Sequence, residues 1–225
     1  MQIQWYPGHM AKARRMLEEN LKLIDVVVEL VDARAPQATR NPDFDALFSQ
    51  KSRVILLNKS DLASAEQTKK WVEYYKAQNI NAIAFVSTSS AKRKAAVSLI
   101  EAAAADKVAK MKEKGVIKTV RAMVVGIPNV GKSTFINRIA GETKAKVGDK
   151  PGVTKGKQWV KVSPYLELMD TPGLLWPKLE NEALAKHLAY IGSINDDIMD
   201  AERLAADLLG ELIAICPNEL KERYK

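Results

Sequence analysis

The chain has 225 residues, 47% hydrophobic and 28% charged, and its 35 Lys and Arg against 27 Asp and Glu give a formal charge of +8. This composition excludes wholesale disorder, and no apolar run approaches the roughly 18 residues that cross a bilayer. Cys216 is the single cysteine, which rules out an intramolecular disulfide and makes a cysteine-built zinc site implausible; the polar, basic N-terminal segment does not read as a signal peptide, so the expected setting is a reducing cytoplasm with no integral membrane association. The charge is uneven. From Lys178 to Lys225 six basic residues face ten acidic ones, so the first 177 residues carry +12. Lys107–Arg121 holds six positives beside Glu113, and Lys144–Lys161 holds six beside Asp149. Such stretches point to a polyanion, RNA first, with plain solubility as the rival reading.

In chain order, Lys12 to Leu23 predicts a basic amphipathic helix, with Met16, Leu17, Leu21 and Ile24 near helical spacing. Asp25 to Asp32 (DVVVELVD) is a continuous apolar stretch of the kind buried in a parallel sheet. Strand Arg53–Asn58, helix Ala65–Gln78 and strand Asn81–Ser87 follow. The Ala- and Lys-rich Lys94–Lys114 predicts one long helix stopping at Gly115. Strand Arg121–Gly126, helix Lys132–Ile139 and a hairpin-like pair, Gln158–Val162 and Tyr165–Met169, complete six strands. Asn181 to Tyr224 reads as mostly helical. Alternating strands and helices predict an α/β fold with a mostly parallel six-stranded sheet and flanking helices. The expected division is a main domain over 1–178 and a short helical C-terminal region over 179–225.

Gly126 to Ser133 (GIPNVGKS) fits the P-loop pattern in full, after a strand and opening a helix, as that pattern requires. Its glycines let successive backbone N–H groups curl around phosphate oxygens. Val130, Gly131 and Thr134 fall in the expected cradle, Lys132 reaches for the β- and γ-phosphates, and the Ser133 hydroxyl is a Mg²⁺ ligand. Asp170-Thr-Pro-Gly173 is weak by itself but lies at a strand end downstream of the P-loop. There Asp170 suits the Mg²⁺ shell, and the Gly173 N–H suits a γ-phosphate. Asn58-Lys59-Ser60-Asp61 ends another strand. Its bland reading is a turn or helix N-cap. Beside a P-loop, Asp61 reads instead as an acceptor for guanine N1–H and the 2-amino group, which adenine cannot satisfy. Asn58 then braces the loop and Lys59 covers the base. Ser87 and Thr88, after the third strand, are the matching base contacts.

The guanine reader lies upstream of the P-loop, the reverse of ordinary GTPases. All pieces exist, so a P-loop GTPase fold whose chain has been circularly permuted is predicted; strand ends in such a sheet lie close enough for the site to assemble anyway.

These segments, with WYPGHMAKA (Trp5 to Ala13), VDAR (Val31 to Arg34), KPGVTKG (Lys150 to Gly156) and DTPGLLWPK (Asp170 to Lys178), make the chain resemble the circularly permuted GTPases of bacterial ribosome assembly, the ribosome biogenesis GTPase A family. The likeness runs from Gln4 to about Tyr224. It implies binding of GTP and GDP and GTP hydrolysis coupled to assembly of the large (50S) ribosomal subunit. The implied partners are that subunit and its rRNA, not DNA, with turnover stimulated by the ribosome. Leu174 stands where many GTPases place a water-orienting Gln, and a leucine cannot polarise water. The resemblance gives that role to His9, whose rival reading is to pack or cap the first helix. It likewise implies that Asn129 helps bind K⁺, the rival being a turn-favouring Asn, and that Thr154 joins the Mg²⁺ shell when γ-phosphate is present, with Thr143 a lesser candidate. His187 reads as structural. Trp5, Trp159 and Trp176 read as core or loop-bracing residues before RNA-stacking ones, while Lys12, Arg14 and Arg15 are better RNA candidates. Family members usually continue past an ERYK-like end into a longer helical tail; this sequence stops at Lys225. Ser87-Thr88-Ser89 also replaces the family's common Ser-Ala-Lys. A second reading of function is a GTP-regulated rRNA-binding placeholder whose turnover is incidental.

Overall fold

A computed structural model describes residues 8–141, 158–176, 181–194 and 200–224, with residues 8 and 9 described in backbone only. The six strands are β1 (Val26–Asp32), β2 (Ser52–Asn58), β3 (Asn81–Ala84), β4 (Val120–Val125), β5 (Gln158–Ser163) and β6 (Leu166–Asp170). They form one sheet in the order β3-β2-β1-β4-β6-β5, parallel except for the β5–β6 hairpin. Strand β2, which ends in Asn58, thus precedes the P-loop strand β4 in the chain, and β1 joins the two halves through β2 on one side and β4 on the other.

All seven residues of β1 are buried, as expected for a strand with neighbours at both edges and helices on both faces. On one face, α4 (Ala65–Ala77) lays Trp71, Val72 and Tyr75 over Val31, Ile55, Leu57 and Ala82. The larger core takes in Met10, Ala13 and Leu17 of α1 (Gly8–Asn20), Ala96 and Ile100 of α5 (Arg93–Ala103), and Phe135, Ile136 and Ile139 of α7 (Lys132–Ala140). Ala185, Leu188 and Ala189 of α8 (Glu182–Tyr190) are buried in this same core. By contrast, α9 (Ala201–Ile215) buries no residue fully, and α10 (Pro217–Arg223) follows it.

Three expectations need correction. The predicted single helix over 94–114 is two, α5 and α6 (Ala105–Glu113). At buried Ala104 the N–H donates to Glu101 O, tightening the turn, and α6 restarts to carry Lys107 onto the Asp25 carboxylate at 2.7 Å. Gly115 does stop α6, at φ +72°. The strand expected to reach Ser87 leaves the ladder after Ala84, because the Ser87 N–H donates to the Asn58 side chain instead. Finally, α1 begins at Gly8 rather than Lys12 and ends at Asn20, with Leu21–Leu23 a 3₁₀ turn. Two short helices that the periodicity does not announce, α2 (Pro36–Thr39) and α3 (Asp43–Leu47), follow β1.

Candidate functional site

β4 delivers the chain to Gly126, and α7 starts six residues on at Lys132. Between them the backbone takes positive φ at Gly126, Asn129 and Gly131. A Cβ on Gly131 would stand 2.5 Å from Asn58 Nδ2, and one on Gly126 would stand 2.6 Å from Leu30 O, so both glycines are required by space as well as by conformation. Val130 is buried beneath the loop, and Ser133 and Thr134 are half-buried in the first turn of α7. The Lys132 ammonium donates to Gly126 O at 3.1 Å and Ile127 O at 2.8 Å. Burial pushes its pKa down to about 8, against the opposing pull of Asp170.

Asp170 ends β6 beside β4, and Ser133 Oγ donates to its Oδ2 at 2.9 Å. Thr171 Oγ1 donates to Val124 O at 2.6 Å, fixing the chain as it leaves β6. A Cβ on Gly173 would lie 2.6 Å from Pro128 N, so its backbone is seated directly on the P-loop. The Leu174 N–H donates to Gly126 O at 3.2 Å, and its side chain is buried. Loop N–H groups, a lysine, and a hydroxyl in contact with a carboxylate form the donor set that suits a phosphate chain with Mg²⁺.

The residues expected at the base come from separate segments. Asn58 Nδ2 donates to Val130 O at 2.8 Å, while its Oδ1 accepts from Ser87 N at 3.0 Å and Ser87 Oγ at 2.8 Å. One buried carboxamide therefore ties β2, the loop after β3 and the P-loop together. Lys59 sits in the left-handed region at φ +58°, costly for a side chain that is neither Gly nor Asn. Its ammonium donates to Asn129 O at 3.0 Å and lies 3.0 Å from Asp32 Oδ2. Asp61 is exposed, one residue into the turn beyond, and Thr88 is exposed at the loop edge. The Asn129 side chain donates through Nδ2 to Gly192 O at 2.8 Å, joining the P-loop to the turn after α8.

Three residues in this region carry no role in the sequence reading. Asp32 is fully buried at the end of β1. Burial raises its pKa, but the Arg34 and Lys59 cations outweigh that and hold it below the usual carboxylate range. Arg34 grips Asp32 with both Nε and Nη2, at 2.9 and 2.7 Å, and feels the Asp61 carboxylate as well. Arg138 of α7 donates to Ser87 O at 3.0 Å and Thr88 O at 2.6 Å, clamping the base loop to the P-loop helix. The signal for the first two was VDAR at a strand end; for Arg138 a helical position facing an unknown loop gave none.

The side chain of His9, together with Trp5, Thr143 and Thr154, lies outside the described residues. Of the proposed RNA cations, Lys12 and Arg15 are exposed, but Arg14 is engaged by Asp43 at 2.8 Å and Glu18 at 3.1 Å. Arg121 lies over the half-exposed Trp159, 5.6 Å from the ring centre, and Trp176 packs against the core. His187 Nε2 meets Glu211 Oε2 at 2.9 Å, bridging α8 to α9. No described helix is long and apolar enough to cross a membrane.

Comparison with known proteins agrees with this geometry. Residues 121–213 match a family described as 50S ribosome-binding GTPase. Ribosome biogenesis GTPase A of Priestia megaterium is 50% identical over 226 residues, covering all of this chain and 78% of that protein. The chain belongs to the ribosome biogenesis GTPase A family. The Thermotoga maritima member is 39% identical, over 90% of this chain and 70% of its own length. The GNP-bound crystal structure of YlqF from T. maritima superposes with a TM-score of 0.64 at 33% identity, over 90% of this chain and 75% of that one. A GDP-bound YlqF structure gives 0.62 at 32%, over 89% and 77%. The protein is thus a circularly permuted P-loop GTPase, a GTP hydrolase of ribosome biogenesis.

Proposed function

We propose that the protein hydrolyses GTP to promote assembly of the large (50S) ribosomal subunit in the cytoplasm, docking on its rRNA, with turnover stimulated by the ribosome and by K⁺. The observation that carries this reading is the Asn58 carboxamide, bound at once to Val130 O and to Ser87. It makes the phosphate cradle and the guanine reader one site.

In this reading Gly126 to Thr134 wrap the phosphates, and Lys132 exchanges its loop carbonyls for β- and γ-oxygens, whose negative charge offsets the burial that lowers its pKa. Asp61 accepts from guanine N1–H and the 2-amino group, Lys59 covers the ring, and Ser87 and Thr88 supply backbone contacts. Ser133, Asp170 and Thr154 would hold Mg²⁺, which would supply charge neutralisation to the phosphates. The Gly173 N–H registers the γ-phosphate. Leu174 is apolar and buried, so a different residue must orient the attacking water. His9 takes that part, an imidazole able to hold the water and receive its proton as the oxygen attacks phosphorus and GDP leaves. Asn129, whose amide nitrogen is held by Gly192 O, is the residue that would help hold K⁺, which would supply positive charge to the phosphates. Residues 1–178 form the GTPase unit, and 179–225 form a short helical region anchored to it through α8.

The test is GTP turnover in KCl and in NaCl at equal ionic strength, with and without purified large subunits. The wild type is expected to accelerate with subunits in KCl alone. His9→Ala is expected to bind GTP normally and lose the acceleration. Turnover indifferent to subunits overturns the partner, equal rates in the two salts overturn the K⁺ role, and a fully stimulated His9→Ala overturns the role of His9.

A further inference from the structure

A cleft of about 640 Å³, with no P-loop residue in its lining, lies between α4, the α2–α3 connection and Trp176. Trp71 and Tyr74 of α4 line it, and Trp176 lines it from the segment that follows β6. The α4 rings are stiffened by one another. Tyr74 meets Trp71 edge-on at 5.3 Å, and Tyr75 packs 5.8 Å from Trp71. Tyr74 is 51% exposed. Gln37 and Gln67 bring two carboxamides to the same space.

The charges around this cleft cancel. Glu29, fully buried in β1, pairs with Arg53 at 2.6 Å and lies 3.9 Å from Arg40; Asp45 pairs with both arginines. Arg40 also lies over the Tyr75 ring at 5.6 Å. Lys70 is matched by Glu66 at 2.7 Å. Aromatic walls, amides that can both donate and accept, and no net charge select a flat, neutral ring with hydrogen-bonding edges, not a phosphate. The surplus of +12 over the first 177 residues is not carried by these pairs and supplies the attraction for a polyanion that would carry such rings.

We propose that this cleft receives an unpaired base of an RNA strand. The inference rests on the rRNA partner proposed above and adds where, and by which chemistry, one nucleotide is held. The cleft is also wired to the nucleotide site. Buried Asn41, between α2 and α3, donates to Leu174 O at 3.0 Å and accepts from Asp43 N at 3.0 Å, and the Leu174 N–H donates to Gly126 O. Two residues further on is Trp176. A base stacked in the cleft therefore bears on the segment whose Gly173 touches the P-loop, and its affinity follows the nucleotide state.

The test is binding of the full chain, with a non-hydrolysable GTP analogue, to a fluorescein-labelled single-stranded oligoadenylate of about twelve nucleotides and to the same strand in a duplex. The wild type is expected to prefer the single strand. Tyr74→Ala and Gln67→Ala, both at exposed positions, keep basal GTP turnover, which certifies their fold. Tyr74→Ala is expected to weaken the single-strand complex roughly tenfold and Gln67→Ala about threefold. Because stacking releases no counterions, the ratio of wild type to Tyr74→Ala stays constant as KCl is raised, while both affinities fall. Undiminished binding by Tyr74→Ala overturns the proposal, as does a deficit that disappears at high salt. Variants that bind oligoadenylate normally but lose affinity for large subunits assign the cleft to a protein side chain, also overturning it. A wild type that binds the single strand yet hydrolyses GTP indifferently to subunits overturns the assembly reading and leaves the cleft standing. A wild type that binds no RNA overturns both.

Discussion

The proposed phosphate end of the site is built from eight consecutive residues, six between β4 and α7 and the first two of α7, whereas the proposed base end joins segments 29 and 72 residues apart through one carboxamide, Asn58. The first is shaped by backbone conformation, with Gly126 and Gly131 giving way to close neighbours. The second is held by side chains reaching across the sheet: Asn58, Lys59 and Arg138. A local cradle can lose its chemistry and keep its fold. A non-local one loses stability and selectivity together, because the same bonds serve both.

Lys132→Ala is the sharpest way to isolate the local half. GTP affinity is expected to fall by about a hundredfold or more, measured by fluorescent-nucleotide titration, without loss of stability. The buried ammonium is a burden on the nucleotide-free fold. With its pKa near 8 when folded and 10.5 as the reference value, the unfolded chain holds a proton that the native state lacks between those limits. Wild-type stability should therefore rise with pH across that window, by up to about 3 kcal/mol in urea melts, and Lys132→Ala should lack the rise. Loss of stability in Lys132→Ala would break the comparison.

Asn58→Ala tests the non-local half. It removes three hydrogen bonds and leaves Val130 O without that donor, so a loss of about 2–3 kcal/mol is expected, together with a reduced preference for GTP over ATP. If stability fell and selectivity did not, the two functions of the bridge would be separable after all. Arg138→Ala removes only the outer clamp on Ser87 and Thr88. A roughly threefold to tenfold weaker GTP complex is expected, with an unchanged single-turnover hydrolysis rate, as suits a positioning residue.

The smallest effect is expected at the opposite end of the sheet. Burial raises the pKa of Asp25, but Lys107, the Arg121 N–H and Lys118 outweigh that and hold it low. Its contribution is full above the ordinary carboxylate pKa and is lost as pH falls through the lowered one. Asp25→Asn should lower neutral-pH stability by about 1 kcal/mol, flatten the acid limb of the melt and leave GTP affinity alone.

The same contrast explains what could be read in the sequence. Strands β1, β2 and β4 were visible because a buried parallel strand is apolar throughout, and the P-loop because its demands fall on neighbouring residues. The break at Ala104 was not, since four alanines favour helix and only the docking of Lys107 on Asp25 turns the chain. Nor were α2 and α3, too short for periodicity to register. Asp32 lay inside an apolar run, where its burial depends on Arg34 and Lys59 folding onto it. The clamp by Arg138 and the cleft beside Trp176 exist only once distant segments meet, so no spacing along the chain encodes them.

The junction between β1 and β4 also has a consequence in time. Synthesis delivers β1, β2 and α4 first, and the partner for the open edge of β1 follows some ninety residues later, ending at Val125. At elongation speeds of about 5–20 residues per second that interval is about 5–20 s. Throughout it one edge of a strand whose seven residues are all destined for the interior stands unpaired on the nascent chain, a surface open to mispairing. The rearrangement that sets its motifs in reverse order therefore places a hazard of misassembly early in its synthesis.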